Sequence, residues 1–557
     1  MPLRAAKEEW IMRRMFGKVI SIAMSVMLIA GMAGCSKNGT ETSGTAGGTK
    51  EYVPLETESE SLAADTKFRE TLNIAVSQES ATYDLPMTTS AVARQMLAGT
   101  VWERLVTLNA NAEPVPELCT SWDMSEDART FTFYLRKGVL FHDGTEMKAE
   151  DVAASLNRWI ESYSQATALV GSGRFAEVDD YTVTITTDTA ALTLVDMLAG
   201  ATQVAIITTK ECCEDLDDNG YMKSFVGTGP YTFVEWVQGQ YILLSRFDDY
   251  VPYYIEGSTE EIMDGWAGYK HAYTKNLKFW YVAESSTIVA GLQTGQYDVA
   301  GVASENISTV KSAGLSVASE QGGISCLVFN KSDESIANNI YIRKAVNAAI
   351  NCDDILMATY GEFYDLGSCY MDDTNAFWLT DAGSEEYNRK DAEKAKQYLE
   401  EAGYNGETFT ILAPTMAHYD NIALVMEQEL EAIGMNVEVS VCDWATFTQL
   451  RTDKTGYDLY VTSFATVPIP TLKSFFGASY PGWTDDEHLT ELLTKFNSAT
   501  TKDEALAAWV EIQGYCWDYL PCIVPGHYGS AVAYNPDVQG LYLGNGMYYW
   551  NAYIKEK

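Results

Sequence analysis

The sequence is poor in histidine, with five in 557 residues, and it lacks the motifs that usually carry catalysis or metal binding. The five are His142, His271, His418, His488 and His527. They form no H-E-x-x-H motif and no Cys/His zinc spacing. Ser172 lies between two glycines, but a nucleophile elbow has a glycine two residues on either side of its serine. We therefore expect no metal site, no cofactor and no enzyme activity, and a structural role for the adjacent pair His142 and Asp143.

Basic residues are also scarce. Lys and Arg number 38 against 77 Asp and Glu, which gives a net charge of −39. Such a surface repels phosphate backbones and anionic lipid, which excludes nucleic acid as a partner. We interpret the charge as that of a solvated, soluble surface. Adjacent acidic pairs such as Asp485 and Asp486 fit this interpretation better than a role in acid/base chemistry.

No C-x-x-C motif occurs among the ten cysteines, whose spacing is scattered. Setting Cys35 aside leaves an odd number, so at least one thiol stays free. Cys212 and Cys213 are neighbours and could not easily bond one another. We expect buried, reduced cysteines rather than a disulfide framework.

Long hydrophobic runs are missing except near the N-terminus, where residues 19–33 are almost wholly apolar. That run is shorter than the roughly 20 residues that span a bilayer and follows several basic residues, which favours a signal peptide. It ends in Gly-Met-Ala-Gly-Cys-Ser, which resembles a bacterial lipobox with Met32 in place of leucine. The resemblance implies that Cys35 is lipidated, the alternatives being an uncleaved anchor or an ordinary buried cysteine. Residues 36–65 are rich in Gly, Ser, Thr and Glu and predict a flexible tether.

One stretch, residues 101–159, gives the clearest local pattern. Phe131, Phe133 and Leu135 alternate with polar residues, which predicts a half-buried strand. Val152, Leu156, Trp159 and Ile160 then recur at helical spacing. The pattern predicts an antiparallel strand unit that leads into an amphipathic helix.

The same stretch carries motifs that hydrophobic patterning does not explain. They are Glu-x-x-Pro-x-Leu-x-x-Ser-Trp from Glu113, Thr-Phe-x-Leu-Arg-x-Gly-Val-x-Phe-His-Asp-Gly from Thr132, and Ala-Glu-Asp-Val-x-x-Ser from Ala149. Together they closely resemble the signature of the family 5 extracellular solute-binding proteins, the dipeptide- and oligopeptide-binding lipoproteins of ABC importers. The resemblance implies an α/β, bilobal, periplasmic-binding-protein-like fold of type II with an extra inserted subdomain, its two lobes joined by a hinge.

Further matches to the family allow a division of the chain. The stretch from Gly227 to Phe233 resembles the return to the first lobe, and residues 327–330 the opening of the last lobe. We predict a lipoprotein signal peptide (1–34), a tether (35–65), lobe I in three parts (66–107, 221–322 and 524–557), an inserted subdomain packed on lobe I (108–220) and lobe II (323–523). The Gly-Thr-Gly at 227–229 is not a phosphate cradle, because Pro230 follows it and no Lys-Ser/Thr does.

Lobe II has a clear α/β rhythm in the sequence. Strands at 409–412 and 437–441 flank a helix at 422–433, and such a crossover predicts parallel pairing. Another helix carries Ala392, Ala395 and Leu399 on one face. We predict that Asn388 caps its start and that Gly403 ends it.

The resemblance also implies a ligand site between the lobes. Glu79 and Tyr83 follow the first strand of lobe I and are candidate contacts, although Tyr83 could equally be a wedge in a turn. The loop 461–470 of lobe II adds main-chain hydrogen bonds to a peptide in oligopeptide-binding relatives. Its candidate contacts, with an aromatic residue nearby, are Ser463, Phe464, Ala465, Thr466 and Trp444.

The loop departs from the family pattern in two respects. Phe464 occupies the usual tryptophan position, and Val467 occupies that of the aspartate which pairs with a peptide ammonium group. No arginine lies between Gly361 and Trp378 to bind a terminal carboxylate. An amine would then need Asp443, Glu79 or Asp372, because a buried unpaired charge is costly.

We therefore expect a lipid-anchored, monomeric receptor on the outer side of the cell membrane. It would capture peptides and deliver them to the permease subunits of an ABC importer. The same scaffold could instead bind an oligosaccharide or a cationic small molecule, or sense a peptide without transport. A secreted hydrolase is the alternative from another class, and turnover of a peptide or glycan library would reveal it.

Overall fold

The computed structural model describes residues 66–200, 202–255, 261–372, 374–544 and 546–556. All of them belong to one compact unit, Tyr52–Lys557. The predicted signal peptide, the lipidated Cys35 and the tether lie outside the described residues. In the described ranges, no helix is both long enough and apolar enough to cross a membrane.

The described chain alternates strands with helices. The strands are β1 Thr71–Val76, β2 Val106–Leu108, β3 Pro114–Pro116, β4 Cys119–Met124, β5 Thr130–Leu135, β6 Ala176–Asp179, β7 Thr182–Thr186, β8 Tyr231–Val237, β9 Tyr241–Arg246, β10 Met263–Asp264, β11 Ala267–Gly268, β12 Asn276–Tyr281, β13 Val299–Val302, β14 Ser316–Phe329, β15 Tyr364–Leu366, β16 Thr408–Pro414, β17 Asn436–Cys442, β18 Leu459–Ala465, β19 Cys522–Tyr534, β20 Val538–Gln539 and β21 Tyr553–Ile554. The α-helices are α1 Ala91–Leu97, α2 Ala149–Ser162, α3 Ser164–Val170, α4 Leu194–Gly200, α5 Lys210–Glu214, α6 Ser285–Thr294, α7 Ile307–Ser312, α8 Ile340–Ala349, α9 Cys352–Tyr360, α10 Ala392–Ala402, α11 Tyr419–Ala432, α12 Trp444–Leu450, α13 Glu487–Asn497 and α14 Lys502–Tyr519. Short 3-10 helices cover Leu85–Met87, Ser304–Asn306, Ile336–Asn338, Ala376–Trp378, Ser384–Glu386, Met416–His418, Pro470–Leu472 and Ser474–Phe476.

Eleven strands form one mixed sheet, in the order β17-β16-β18-β14-β19-β13-β1-β12-β9-β8, with β15 paired to β19. Strands β1, β8, β9, β12 and β13 lie in the range assigned to lobe I, and β16, β17 and β18 in that of lobe II. β1 is parallel to β12 and β13, and β16 is parallel to β17 and β18. Each half is thus a small α/β sheet of its own.

The two halves are joined in the sheet by two long antiparallel strands, β14 and β19. Their pairing runs from Ser316 opposite Tyr534 to Val328 opposite Cys522, with irregularities between Gln321 and Ile324 and again beyond Ser325. At the lobe I end of the pair, β19 also pairs with β13, from Ala531 to Tyr534. At the lobe II end, β14 also pairs with β18, from Gly323 to Phe329. Because bulges bend and twist a strand locally, the irregular stretch is the natural place for the chain to flex.

The stretch that gives the clearest sequence pattern folds as predicted. β4, β5, β7 and β6 form a four-stranded antiparallel sheet, and α2 follows β5. Phe131 and Phe133 of β5 and Trp159 of α2 are fully buried in the same core. Asp151, in the first turn of α2, accepts a hydrogen bond from the backbone nitrogen of Lys148, which satisfies one end of the helix.

The β-α-β unit of lobe II is also confirmed. β16 and β17 pair in parallel over their full length, with α11 between them. Gly403 ends α10 in the left-handed region, at φ 71°. The predicted cap at the other end is wrong: Asp391 caps α10 by accepting from the Lys394 nitrogen, while Asn388 accepts from the backbone nitrogen of Cys352.

The nine cysteines among the described residues are all free, and seven of them are buried. This agrees with the expectation of reduced, buried thiols. Burial raises the pKa of Cys119 to about 12, so that this thiol stays protonated and unreactive.

Candidate ligand-binding cleft

Contacts across the gap between the two lobes define the candidate cleft. The amide nitrogen of Gln78, in the loop after β1, lies 3.9 Å from the sulfur of Met416 in lobe II. Lys311 pairs with Glu362 at 3.0 Å, and Glu305 lies 3.4 Å from the His418 ring nitrogen. Each of these pairs joins one lobe to the other, so the lobes stand in a closed arrangement.

Tyr83, a predicted contact in the loop after β1, is completely buried. Its hydroxyl shares a hydrogen bond with that of Tyr281 and accepts another from the backbone nitrogen of Ser80 at 3.2 Å. Its ring meets Trp236 edge-on, with 4.9 Å between centroids. Tyr83 therefore shapes the wall of lobe I, and its contact with a ligand stays a prediction.

Glu79 is exposed, but its carboxylate already has partners. It accepts a hydrogen bond from the Trp236 ring nitrogen at 2.6 Å and another from the backbone nitrogen of Gly239 at 3.0 Å. These bonds tie the loop after β1 to the turn between β8 and β9. Glu79 is therefore a poor candidate to neutralise a ligand amine.

The end of β18 brings the predicted lobe II residues together. Ser463 and Tyr419 share a hydrogen bond of 2.6 Å between their hydroxyls. Phe464 packs against Phe475 and Tyr480, with centroids 5.2 and 6.0 Å away. Ser463, Phe464 and the following alanine are half-buried, so part of each surface is exposed.

The next two residues of the loop, Ala465 and Thr466, are fixed by contacts within the protein. The Ala465 carbonyl accepts a hydrogen bond of 2.7 Å from the Lys473 ammonium group, and Thr466 is buried. Trp444 lies on a different element, at the first position of α12, where it is 37% exposed and stacks on Phe447. The structure therefore places the predicted residues of the loop at one contiguous strand end and Trp444 on a separate helix. Their contact with a ligand stays a prediction.

The remaining carboxylates proposed for an amine are also engaged. Asp372 pairs with Lys473 at 3.3 Å, and both side chains are almost fully buried. Asp443 accepts from the backbone nitrogens of Ala445 and Thr446, which caps α12. The buried Lys473 was not singled out by sequence reasoning, since its partner lies 101 positions away along the chain.

Sequence reasoning also missed polar groups on β14 and β19, the two strands that join the halves of the sheet. Glu320 lies on β14, and burial raises its pKa to about 7. Tyr528 and His527 lie beside it on β19 and are half-buried. A charged residue inside a long strand at the centre of a sheet is the one sequence signal that could have identified this position.

A separate cavity of about 210 Å³ lies between the inserted subdomain and lobe II. Gln165, Leu169, Met197, Ile469 and Asn497 are among its lining residues, which include none of the predicted site residues. Over the described part of the chain, no group of three or more His, Cys, Asp or Glu residues is arranged to hold a metal ion.

The model of one protein family, described as the bacterial extracellular solute-binding proteins of family 5, matches residues 113–485 of this sequence. That range contains the whole of the motif-bearing stretch from Glu113 and the loop at the end of β18. The chain belongs to this family.

One curated relative and two solved structures illustrate what this family 5 protein is similar to. It is 26% identical over 496 residues to y4tO of Sinorhizobium fredii, a "probable peptide ABC transporter periplasmic-binding protein", which covers 84% of this chain and 90% of the relative. A dipeptide-binding protein of Pseudoalteromonas sp. SM9913 in complex with Met-Leu has a TM-score of 0.72 at 22% identity, over 87% of this chain and 100% of that one. NikZ of Campylobacter jejuni in complex with Ni(L-His) has a TM-score of 0.69 at 19% identity, over 87% and 99%.

The structural matches establish the fold of this family 5 protein as that of the bilobal binding proteins, as the sequence motifs predicted. Their identities are too low to carry a ligand from one member to another, and the two neighbours bind different kinds of ligand.

Proposed function

We propose that this chain is a lipid-anchored receptor that captures peptides in the cleft between its lobes and delivers them to an ABC importer. The observation that carries the proposal is the end of β18. Only Leu459 and Tyr460 of β18 pair with β16 among the described residues, whereas its other edge pairs with β14 as far as Ala465.

The free edge supports a peptide as the ligand. The backbone groups of residues 461–465 on the β16 side have no partner strand in the described chain, and they would border the cleft. An extended peptide can add to such an edge as a further strand, through main-chain hydrogen bonds that depend little on its side chains. Phe464 and Ser463, half-buried beside that edge, would then contact the side chains of the peptide.

The hinge gives a mechanism that needs no chemical step. A ligand drives closure of the lobes only to the extent that it binds the closed form better than the open one. If the empty protein were closed about 1% of the time, its apparent affinity would be reduced about 100-fold. The permease subunits of the importer would recognise the closed arrangement, and the solute would leave the protein unchanged.

The remaining parts of the proposal concern how the molecule is organised. Cys35 would carry the lipid, residues 35–65 would tether the body to the membrane, and the body would act as a monomer outside the cell or in the periplasm. Lobe I, the inserted subdomain and lobe II would have the boundaries given above. Glu79 and Tyr83 would contribute from the wall of lobe I.

A non-peptide solute is the second candidate, and Val467 favours it. The position lacks the carboxylate expected for a peptide ammonium group, and Asp372 is already neutralised by Lys473. An oligosaccharide could stack on Trp444, Phe464 or Trp483, while a cationic solute would need a carboxylate. A peptide sensor without transport would use the same cleft.

A thermal-shift screen of the purified chain would distinguish these candidates. Peptide pools, oligosaccharides and Ni(L-His) would be added separately, and the products of each incubation analysed by mass spectrometry. Stabilisation by peptides, saturable and without a product, supports the proposal. Stabilisation by oligosaccharides alone would support the second candidate, a receptor for a non-peptide solute. Hydrolysis of a ligand would mean that the protein is an enzyme and not a receptor.

A further inference from the structure

A second contact between the two sides of the hinge lies where the inserted subdomain meets lobe II. The Gln165 amide, on α3, donates a hydrogen bond of 3.3 Å to the Leu472 carbonyl of lobe II. In the opposite direction, the Asn375 amide of lobe II donates a hydrogen bond of 3.2 Å to the Ala112 carbonyl. The cavity of about 210 Å³ described above lies at the same interface. These contacts form only while the subdomain and lobe II are together.

One face of helix α4 is turned toward lobe II. Thr193, just before the helix, and Met197 line the cavity from the side of the subdomain. A Cβ built on Gly200 would lie 3.3 Å from the Pro468 ring of lobe II. Positions 193, 196, 197 and 200 share one face of a helix, so Asp196 faces lobe II as well.

Asp196 is a carboxylate buried at this interface without a close partner. It is 4% exposed, and none of the described side chains donates a hydrogen bond to it. The Lys502 ammonium group, at the start of α14 in lobe II, lies 3.9 Å away on a side chain that is 52% exposed. Water screens such a pair, so the attraction offsets little of the cost of burying a charge. The interface therefore favours the neutral, protonated form of Asp196.

Other charged groups do not alter this balance. β2, β3 and α3, which pack against α4, carry no charged side chain, and neither do residues 466–472 of lobe II. Lys495 of α13, the helix that ends beside the cavity, is paired with Glu511 at 2.7 Å. Among the described residues, Lys502 is thus the one charge that acts on Asp196. Burial raises the pKa of Asp196 to about 6, against the lowering effect of Lys502.

The burial of Asp196 depends on the closed arrangement of the lobes. Part of the surface that covers its face of α4 belongs to lobe II, so opening of the hinge exposes the carboxylate to water. An exposed aspartate has a pKa of about 3.9. Between that value and the higher one of the closed form, closure takes up a proton from the solvent, and a falling pH favours the closed form.

We propose that Asp196 is a proton-controlled latch, whose carboxylate binds a proton from the solvent when the inserted subdomain closes on lobe II and releases it when they part. The latch rests on the proposed function only for the movement of the lobes. A solute binds the closed form, so a step that favours closure raises its apparent affinity. The protein would therefore hold a captured solute more tightly in acidic surroundings than in neutral ones.

The test follows affinity against pH on the complete chain. Equimolar pools of di-, tri- and tetrapeptides are titrated at about pH 5 and about pH 7.5 against wild type, Asp196→Asn and Asp215→Asn, and the unfolding midpoint is measured. Asp215 is the matched control, because it pairs with Lys223 at 2.6 Å and both side chains are at least half exposed. We expect wild type and the control to bind about 10-fold more tightly at the lower pH. Asp196→Asn, which mimics the protonated form, should bind equally at both.

Lys502→Met gives a second readout that a purely structural role would not change. Without its only counter-charge, the ionised form of Asp196 becomes less favourable in the closed arrangement. The affinity at about pH 7.5 should fall, while that at about pH 5 is retained, so the pH dependence moves to higher pH. Lys502 is exposed, so this variant decides if Asp196→Asn does not fold. An unshifted pH dependence would contradict the latch.

The outcomes separate this inference from the proposed function. A wild-type affinity that does not change with pH, or an Asp196→Asn variant that keeps the wild-type change, would overturn the latch and leave the proposed function intact. If no pool stabilises wild type, the assignment to peptides fails instead, and small-angle X-ray scattering of the empty protein decides. A radius of gyration that is smaller at about pH 5 than at about pH 7.5 in wild type, but equal in Asp196→Asn, supports the latch. Equal radii in wild type would overturn it.

Discussion

Phe464 is the aromatic side chain at the end of β18 that we propose as a ligand contact. It is half-buried against Phe475 and Tyr480, and the rest of its surface is exposed. We expect Phe464→Ala to weaken ligand binding up to about 10-fold, because an aromatic contact contributes about 0.5–1.5 kcal/mol beyond the area it buries. Isothermal titration with the ligand found by the screen measures this.

Phe233 of β8 is the matched control for that change. It is also half-buried and packs against another ring, that of Phe225, on lobe I. Phe233→Ala should lower the unfolding midpoint without altering affinity. Equal affinity of the Phe464 variant and wild type would remove the end of β18 from the site.

Arg158 and Asp84 form a buried ion pair that joins the inserted subdomain to the loop after β1. Two guanidinium nitrogens contact the two carboxylate oxygens, at 2.8 and 2.5 Å, and Asp84 is completely buried. Arg158→Met leaves that carboxylate without its counter-charge, so we expect a loss of about 3–5 kcal/mol in the free energy of unfolding. Chemical denaturation measures it.

The exposed pair of Arg246 and Asp248 provides the comparison. Surface ion pairs contribute about 0–1 kcal/mol, so Arg246→Met should cost little. Equal losses in the two variants would mean that the buried pair is no more important than a surface one.

Single residues were predictable from sequence only where their partners were near in the chain. His142 was expected to be structural, and both ring nitrogens are bonded, to the carbonyl of Gly229 and the nitrogen of Gly227. Burial lowers the pKa of His142, which keeps it neutral. The pairing of Asp372 with Lys473, by contrast, depends on how distant segments fold together, and no local pattern encodes it.

β14 is one of the two strands that form the hinge. Its glycine Gly323 lies against the backbone of the neighbouring strand β18. A Cβ built on Gly323 would lie 1.9 Å from the Phe464 carbonyl oxygen, which belongs to the backbone. Gly323→Ala must therefore push β14 away from β18 at the cleft. We expect a lower unfolding midpoint and weaker ligand binding together, measured by thermal unfolding with and without ligand.

Gly301 of β13 is a control within the same sheet. A Cβ there meets nothing within 4 Å, and its backbone is not in the left-handed region. Gly301→Ala should leave both quantities near the wild-type values. If the Gly323 variant also kept the wild-type values, the two strands β14 and β18 could move apart without loss of stability or affinity. That result would contradict the expectation drawn from their close approach at Gly323.

Elements were predicted well where periodicity was strong, and their ends less well. β5, α2 and the β16-α11-β17 unit follow from spacing alone, since burial of one face sets the pattern. The start of α10 could not be predicted from spacing, because Asn388 and Asp391 are both residue types that cap helices. Asp391 does so, and Asn388 is drawn to the Cys352 nitrogen by tertiary packing.

The arrangement of the lobes was predictable only through the family motifs. Composition and periodicity gave an α/β protein larger than one core, but not the passage of β14 and β19 through both halves of the sheet. That passage joins segments some 200 positions apart, from Ser316 to Tyr534. The contacts that hold the cleft closed were likewise invisible, because they are single exposed pairs on opposite lobes.

The pair of Lys311 and Glu362 tests whether those contacts bias the closed form. Both side chains are at least half exposed, so the pair is worth about 0–1 kcal/mol. Glu362→Lys would replace attraction by repulsion in the closed form only, and we expect ligand affinity to fall by up to about 5-fold. The double variant Lys311→Glu with Glu362→Lys restores the attraction with the signs exchanged and should recover the affinity.

Lys275 and Glu70 supply the control, an equally exposed pair at 2.7 Å that lies within lobe I. Glu70→Lys changes the net charge of the protein by the same amount but should leave affinity unaltered, since both partners move together when the lobes close. An equal loss in the two single variants would mean that overall charge, and not closure, sets the effect. If the double variant did not recover the wild-type affinity, the ion pair between the lobes would not be what sets ligand affinity.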